Sequence, residues 1–181
     1  ITKVTMSDGR SWSCMTDGSI VGTGTEVVSP ILQGAADLAL LQEVVRVLRE
    51  RGCKSSAAVG CGIHVHVGVK HLSASQIGRL AKVVSKADGM IRQAVKVSAS
   101  RARWCEALGE TYATACGKAT TMQELATAWY GDAYQATYAP AEHYHQSRYR
   151  GLNLHSVFYR GNGGTPRGTV EFRYFDGTLH A

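Results

Sequence analysis

The sequence predicts an α+β fold, in which helices pack on one face of an antiparallel sheet. Three observations support this class. Segments with strand-like alternation lie at both ends of the chain, apolar residues recur at helical spacing in the middle, and one strand-like segment leads directly into a helix. With 181 residues, of which 44% are hydrophobic, the chain is long enough to bury one core. We therefore expect a single domain over residues 1–181.

The N-terminal segment predicts a three-stranded meander. Strands are expected at Ile1–Met6 and Arg10–Met15, joined by a turn at Ser7–Gly9. A third strand is expected at Gly24–Ser29 and ends before Pro30, which cannot donate to a sheet ladder.

Three helices follow from periodicity and capping signals. The first is predicted over Ala35–Arg51, with Gly52 placed to end it; its apolar positions are Leu38, Leu41, Val45 and Leu48. Ser73–Gln76 forms a capping box at the start of a long helix, and Thr121–Glu124 forms another before a shorter one. The Tyr-rich stretch Tyr130–Tyr149 lacks a clear period and is expected to be a loop or an irregular helix.

The remaining segments alternate like strands. Cys61–Gly68 is predicted to be a strand that precedes the long helix. Leu152–Tyr159 and Gly168–Phe175 are predicted to form a hairpin around a Gly-rich turn at Gly161–Gly164.

Composition limits the partners and the setting. The net charge of +6 favours anionic ligands such as phosphates, but aromatic residues are not interleaved with a basic stripe, so we do not expect nucleic-acid binding. No apolar stretch approaches the roughly 20 residues of a membrane helix, so we expect no membrane partner. The five cysteines include no Cys-x-x-Cys pair, which favours free thiols in a reducing, cytoplasmic setting.

Polar residues alternate with apolar ones along several predicted strands. Because successive side chains point to opposite faces, Asn153 and His155 are expected to share one face of their strand. If the strands are neighbours, one polar face is expected to carry Glu26, His64, His66, Asn153, Glu171 and Arg173. Carboxylates with an imidazole suit Mg²⁺ or Mn²⁺, and an adjacent arginine suits phosphate oxygens. The same alternation is also typical of strands whose polar face is simply hydrated, and the spacing alone leaves both interpretations open.

Four motifs, taken in order, resemble those of the putative amidoligase family. They are Thr23–Leu32, Cys61–Gly68 with its Gly-x-His-x-His element, Arg148–Asn153, and Gly168–Thr178 with its Glu-x-Arg element. This family is related to glutamine synthetase and glutamate-cysteine ligase. The resemblance implies a glutamine-synthetase-like catalytic domain and an ATP-dependent carboxylate-amine ligase that acts on small-molecule or peptide substrates through an acyl phosphate.

The resemblance also implies roles for particular residues. Glu26, His64 and Glu171 match the metal ligands for Mg²⁺ or Mn²⁺, and these three side chains are expected to converge on one cavity. His66 and Arg173 match catalytic positions that contact substrate or phosphate. The residues matched to the nucleotide are Arg101, Arg148, Asn153 and Arg173.

The sequence departs from the family pattern at both ends. It lacks an upstream strand with a Gly-x-Glu-x-Glu-like element, and it stops after Gly177–Ala181 where relatives continue into helix. We therefore expect a domain shortened at both ends, with fewer metal carboxylates. A non-catalytic binding or assembly module that keeps the fold is the alternative interpretation, and the sequence leaves the oligomeric state open.

Overall fold

The structure, a computed structural model, describes residues 1–22, 24–161 and 164–180. Over these residues the fold is α+β, with seven α-helices and six strands arranged in two small antiparallel sheets. The chain divides into two units. Residues 1–62, together with the C-terminal residues from Asp176 onward, form the N-terminal unit, and residues 63–175 form the main unit.

The N-terminal unit contains the predicted meander. Strands β1 (Thr2–Thr5), β2 (Ser11–Thr16) and β3 (Thr25–Val28) form one sheet in the order β1-β2-β3, and both pairings are antiparallel. The short loop Met6–Arg10 closes the first hairpin, where the N–H of Met6 donates to the carbonyl of Arg10 over 2.7 Å.

Helix α1 (Gly34–Glu50) confirms the first predicted helix. Gly52 follows its C-terminus with a φ of 84°, a backbone conformation that glycine adopts without strain. Arg10 binds Asp37 of the first turn through two parallel hydrogen bonds of 2.7 and 2.8 Å. This charge pair fixes the start of α1 to the end of the β1-β2 hairpin.

The sheet of the main unit has the order β4-β6-β5. Strand β4 (Gly62–Gly68) and strand β5 (Leu152–Asn153) flank the central strand β6 (Thr169–Asp176). In the antiparallel register of β5 and β6, Asn153 lies opposite Glu171.

The helices of the main unit supply most of its core. They are α2 (Ala74–Ala94), α3 (Ala99–Ala102), α4 (Glu110–Lys118), α5 (Met122–Tyr130), α6 (Ala133–Tyr138) and α7 (His155–Phe158). Both predicted capping boxes are present: the Ser73 and Thr121 side chains accept from the backbone N–H groups of Gln76 and Glu124. The Tyr130–Tyr149 stretch is an irregular helical region, as predicted, with α6 and two short 3₁₀ helices at 139–141 and 146–148.

Close packing of α2 on α4 defines the centre of this core. At Gly78 of α2, an added Cβ would lie 2.0 Å from the carbonyl oxygen of Cys116, so only glycine allows the two backbones to approach this closely. On β6, the fully buried Tyr174 donates a 2.8 Å hydrogen bond to Asp88 of α2, which also pairs with Arg92. Helix α2 is thus tied both to α4 and to the central strand.

Two sequence predictions about strands are wrong. The expected single sheet is two sheets over the described residues, because alternation identifies strands but does not specify which strands pair. The strand predicted at Leu152–Tyr159 ends after Asn153 and gives way to α7. The Asn153 side chain accepts the N–H of His155 over 2.7 Å, and this local bond turns the chain away from the sheet. The predicted turn at Gly161–Gly164 includes residues 162 and 163, which lie outside the described residues.

The expectations about membrane-spanning helices and about free thiols can be compared with the structure. In the part of the chain that the structure describes, no helix combines the length and apolarity that crossing a membrane requires. All five cysteines lie within that part and carry free thiols.

Candidate functional site

The site is built around the carboxylate of Glu171 on β6. Its side chain is only 4% exposed, yet both oxygens have partners. Oε1 lies 2.7 Å from Nη1 of Arg173, two residues further along the same strand face. Oε2 accepts a 2.5 Å hydrogen bond from the amide of Asn153 and a longer one, 3.5 Å, from the Ser156 hydroxyl. The carboxylate is therefore fixed by one cation and two neutral donors.

Both histidines of β4 face the same oxygen. Nδ1 of His64 lies 3.2 Å and Nε2 of His66 lies 3.7 Å from Oε1 of Glu171. His66 also has Nδ1 within 3.3 Å of the Thr169 hydroxyl at the start of β6. The alternation of β4 therefore places both imidazoles on the side of the sheet that carries Glu171, as predicted.

The pKa values of the cluster follow from burial and from the arginines. Burial, together with the positive charge of Arg173, lowers the pKa of His64 to about 3. Burial also lowers the pKa of His66. For Glu171, burial acts to raise the pKa, but Arg173 and the hydrogen bond from Asn153 outweigh it, so the pKa lies below its usual value. At neutral pH the cluster therefore consists of a carboxylate, a guanidinium and two neutral imidazoles.

Arg173 is held in place by the backbone around it. Its Nε donates to the carbonyl of Trp104 over 3.2 Å, and its guanidinium lies 5.7 Å from the ring centroid of Tyr149. Arg101 is buried and donates from Nε to the carbonyl oxygen of Arg173 over 3.0 Å. Arg101 therefore supports the backbone of β6 at this point.

Further arginines add positive charge around the cluster. The charge of Arg148 contributes to the lowered pKa values of both His66 and Arg173. Its side chain donates to the carbonyl of His143 over 2.8 Å and lies over the Tyr144 ring. Arg167, next to β6, also acts on His66 and lies 5.1 Å from the ring centroid of Tyr159. The surroundings of Glu171 are strongly basic, which suits a ligand rich in phosphate oxygens.

The structure brings together most of the predicted polar face. His64, His66, Asn153, Glu171 and Arg173 are in contact within the main unit. Glu26 lies on β3 of the N-terminal unit, opposite Met15 in the strand register, and its role as a metal ligand stays a prediction.

His155 does not share a strand face with Asn153, contrary to expectation. It begins α7, where its Nδ1 lies 2.7 Å from the Tyr130 hydroxyl and its Nε2 lies 3.0 Å from the carbonyl oxygen of Glu142. The turn at Asn153 carries it away from the sheet and into the helical layer.

Sequence reasoning missed two members of the site, Ser156 and Arg167. Ser156 reaches Glu171 only because α7 replaces the predicted strand, so strand alternation could not indicate it. Arg167 immediately precedes the motif that contains the Glu-x-Arg element, so its position next to the predicted strand was an available signal.

The metal-binding capacity of this cluster depends on how its donors are arranged. Within the described ranges, no three His, Cys, Asp or Glu side chains are grouped around a position for an ion. By chemical type, the two imidazoles and the carboxylate fit a divalent cation, but here they are directed at one another, and Arg173 shares the same carboxylate oxygen. Binding of an ion would require these side chains to separate.

Comparison with protein families matches residues 2–181 to a family described as putative amidoligase enzyme. The match covers nearly the whole chain, and the chain therefore belongs to this family. The resemblance seen in the four motifs is thereby confirmed. Neither a curated protein nor a solved structure matches the chain.

Proposed function

We propose that this chain is an ATP-dependent carboxylate-amine ligase that forms an amide or peptide bond through an acyl-phosphate intermediate. Membership of the putative amidoligase family supports a ligase-like enzyme in general. The observation that carries the finer proposal is the buried Glu171 carboxylate, which is in contact with Arg173 and both histidines of β4 in a basic surrounding. A glutamine-synthetase-like architecture is part of the same proposal.

The reaction needs an activated carboxylate, because a free carboxylate is a poor electrophile. A substrate carboxylate oxygen attacks the γ-phosphorus of ATP, the bond to the bridging oxygen breaks, and ADP leaves. The amine then attacks the acyl carbon, the carbon–oxygen bond to phosphate breaks, and the amine nitrogen loses a proton as inorganic phosphate departs. Both steps pass through states with concentrated negative charge on oxygen.

The arginines of the site are suited to that charge. Arg173 is rigidly held and nearly buried, so its guanidinium is already oriented before a phosphate arrives. Arg148 and Arg167 extend the positive region around His66. Asn153 and Arg101 then serve to hold Glu171 and the Arg173 backbone in register. Removing one such cationic contact typically costs about 3 to 4 kcal/mol of transition-state stabilisation.

We further propose that Glu171, His64 and His66 hold a divalent cation, Mg²⁺ or Mn²⁺. Two imidazoles beside one carboxylate favour Mn²⁺ over the more strictly oxygen-bound Mg²⁺. The bound ion would neutralise charge on the transferred phosphate. His66, the more exposed of the two histidines, is suited to contact the phosphate or the substrate directly.

The test is ADP formation from ATP that depends on added amine, on Mn²⁺ or Mg²⁺, and on Glu171. We expect Glu171→Gln to reduce the rate at least 10²-fold, in line with the loss of a group that organises transition-state charge. Glu110→Gln is the matched control, because Glu110 lies in the first turn of α4, outside the site. His66→Ala is a second site variant for the same assay. His66 is half-exposed, so folding is less sensitive to this change. Amine-independent hydrolysis that persists unchanged in both site variants would refute the proposal.

One observation favours a second candidate, a binding module without catalysis. The described part of the chain contains no grouping of three metal-ligating side chains around an ion position. A module of this kind would show no thermal shift when Mg²⁺ and a non-hydrolysable ATP analogue are added together. A shift of several degrees would exclude it, because ligand binding to the folded state raises its stability.

A further inference from the structure

The main unit has a pocket beside Tyr149 that the proposed ligase chemistry does not use. Its volume is about 280 Å³, and its walls combine aromatic rings with charged side chains. The charged residues are Arg103, Glu106 and Arg150, and Tyr112 and Trp129, which also line the pocket, lie against Arg150. A pocket of this size can enclose a small organic molecule.

Both arginines of the pocket are positioned by rings. The guanidinium of Arg150 lies 4.4 Å from the ring centroid of Tyr112 and 5.4 Å from that of Trp129. Arg103 lies 5.0 Å from the ring centroid of Trp104. Across the residues that the structure describes, neither guanidinium is paired with a carboxylate. A guanidinium held against a ring keeps its N–H edge available, and that edge matches a carboxylate through two parallel hydrogen bonds.

Glu106 brings one negative charge into the same pocket. Its backbone is fixed at both ends, because its N–H donates to Tyr149 and its carbonyl accepts from Gly151, each over 2.8 Å. This short bridge holds Glu106 beside Arg150. The pocket therefore has two cationic residues and one anionic residue in its lining, a combination complementary to a molecule with a carboxylate and an ammonium group.

Tyr149 joins this pocket to the Glu171 cluster. Its ring lines the pocket and is also the ring that the Arg173 guanidinium approaches. Trp104 packs edge-on against the same ring, with centroids 5.4 Å apart, and accepts from Arg173 through its backbone carbonyl. A molecule held in the pocket would thus lie one side chain away from the proposed reaction centre.

We propose that this pocket binds the α-amino acid head group of one ligase substrate, an assignment that rests on the proposed function. Arg150 and Arg103 bind the α-carboxylate, and Glu106 binds the α-ammonium group. The head group anchors the molecule, and the carboxylate or amine that reacts belongs to another part of it. The ligase therefore takes at least one substrate with a free amino acid head.

The first experiment measures binding by calorimetry, without nucleotide or metal, using L-alanine, L-leucine, L-phenylalanine, L-lysine and L-glutamate. The amino acid that binds most tightly is then compared with the amine that lacks its α-carboxylate and with its N-acetyl derivative. We expect each analogue to bind about tenfold more weakly or worse, because each loses a charge-assisted contact. Failure of all five amino acids to bind, or equal binding of the analogues, would overturn the proposal.

Variants then locate the binding. Arg150→Gln and Glu106→Gln should each weaken binding of that amino acid about tenfold. Arg79→Gln, at an exposed position of α2, is the matched control and should leave binding unchanged. Since Arg150 also packs on two rings, Arg103→Gln at the exposed rim provides a variant that removes a charge with less effect on folding. Wild-type affinity in Arg150→Gln, Glu106→Gln and Arg103→Gln together would exclude this pocket as the site.

The two proposals fail in different ways. Glu171→Gln should keep amino acid binding while losing ADP formation. If the wild type binds the amino acid but shows no amine-dependent ADP formation, the ligase assignment is overturned, and with it the role of the amino acid as a ligase substrate. The pocket would still be an amino acid binding site. If the wild type forms ADP in an amine-dependent reaction but binds no amino acid in the pocket, only the assignment of the pocket is overturned.

Discussion

The two units of this chain bury their side chains very differently. In the main unit, every member of the hydrophobic core cluster lies between Val69 and Tyr174, and Trp129, Ile77 and Leu125 are almost fully enclosed. In the described residues of the N-terminal unit, only Trp12 and Asp37 are buried. The main unit is therefore held together by apolar packing, whereas the N-terminal unit relies on its strand ladder and on the Arg10–Asp37 pair.

This contrast shows that a periodic pattern predicts an element better than it predicts its burial. Helix α1 forms where its apolar spacing indicates, yet Leu38 on that apolar face is 57% exposed. Helix α2 has a similar pattern, and its Ile77 is 1% exposed. Amphipathic spacing gives a helix a face that can be buried, but the number of neighbouring elements decides whether it is.

The largest expected effect tests this contrast with two leucines. Leu125→Ala in α5 should lower the free energy of unfolding by about 2 to 5 kcal/mol, because it leaves a cavity in the packed core. Leu38→Ala in α1 should change it by no more than about 0.5 kcal/mol. Urea unfolding of both variants measures the difference. Equal losses at the two positions would show that the units do not differ in packing.

A pH-dependent loss of stability is expected from His155 of the main unit. Burial, together with the neighbouring His145, lowers the pKa of His155 to about 4. Its ordinary pKa is about 6.5, so between these values the unfolded chain binds the proton more tightly than the folded one. The stabilisation is complete above pH 6.5 and is lost as pH falls toward 4, by about 3 kcal/mol at most.

Unfolding measured at pH 7.5, 6, 5 and 4 checks this window. His155→Gln should show a shallower decline over the same range than the wild type, since the residue that takes up the proton is gone. Parallel curves for the two proteins would assign the acid sensitivity to other groups.

Two glycines of α2 separate helix packing from helix propensity. Gly78→Ala should destabilise the protein by about 1 to 3 kcal/mol, because the new Cβ would collide with the carbonyl of Cys116 in α4. Gly89→Ala meets nothing within 4 Å and should stabilise by about 0.5 to 1 kcal/mol. Thermal melts of the pair provide the measurement. We expect the melting temperature to fall for Gly78→Ala and to rise for Gly89→Ala. A stabilising Gly78→Ala would mean that α2 and α4 lie further apart than they do in the structure.

A smaller effect is expected for the hydroxyl of Tyr174. Tyr174→Phe removes the 2.8 Å hydrogen bond to Asp88 and should cost about 1 kcal/mol, with the ring still packed. Tyr134→Phe, at a residue 68% exposed, is the control and should be neutral. The midpoints of denaturant unfolding compare the two. A neutral Tyr174→Phe would show that the network between β6 and α2 adds nothing to packing.

The smallest effect on global stability is expected in the N-terminal unit. Asp37→Asn weakens the paired contact with Arg10, whose hydrogen bonds, together with one from the backbone N–H of Gln33, lower the pKa of Asp37 to about 2. We expect faster amide hydrogen exchange over residues 1–62 and unchanged exchange in α2. Slower exchange in the variant, or an equal increase in α2, would contradict the idea that this charge pair organises its own unit.

The parts of the fold that could be predicted are those specified locally. The capping boxes at Ser73 and Thr121 and the hairpin turn before β2 each depend on a few adjacent residues, and each is present. Strand pairing depends on residues far apart, so the division into two sheets could not be predicted. The α7 helix was missed because one side chain, Asn153, outweighs the alternation of the following residues.

The site follows the same rule. Alternation correctly placed His64 on one face with His66, and Glu171 on one face with Arg173, because period two is a property of each strand by itself. The meeting of the two pairs depends on the pairing of β4 with β6. Ser156 depends on α7 and could not be found in that way. The pocket at Arg103, Glu106 and Arg150 was also missed, since it is assembled from separate loops that carry no periodic signal.

Gly151 shows how little room the reactive cluster has for change. A single methyl group at this position would come within 2.2 Å of the Tyr174 ring, which is itself buried and hydrogen-bonded. The same residue accepts the N–H of Arg173 and precedes the two-residue strand that brings Asn153 to Glu171. The alignment of an amide, a guanidinium and a carboxylate thus depends on the absence of one carbon atom, so even the smallest side chain at this glycine would disturb that alignment without touching any of the three.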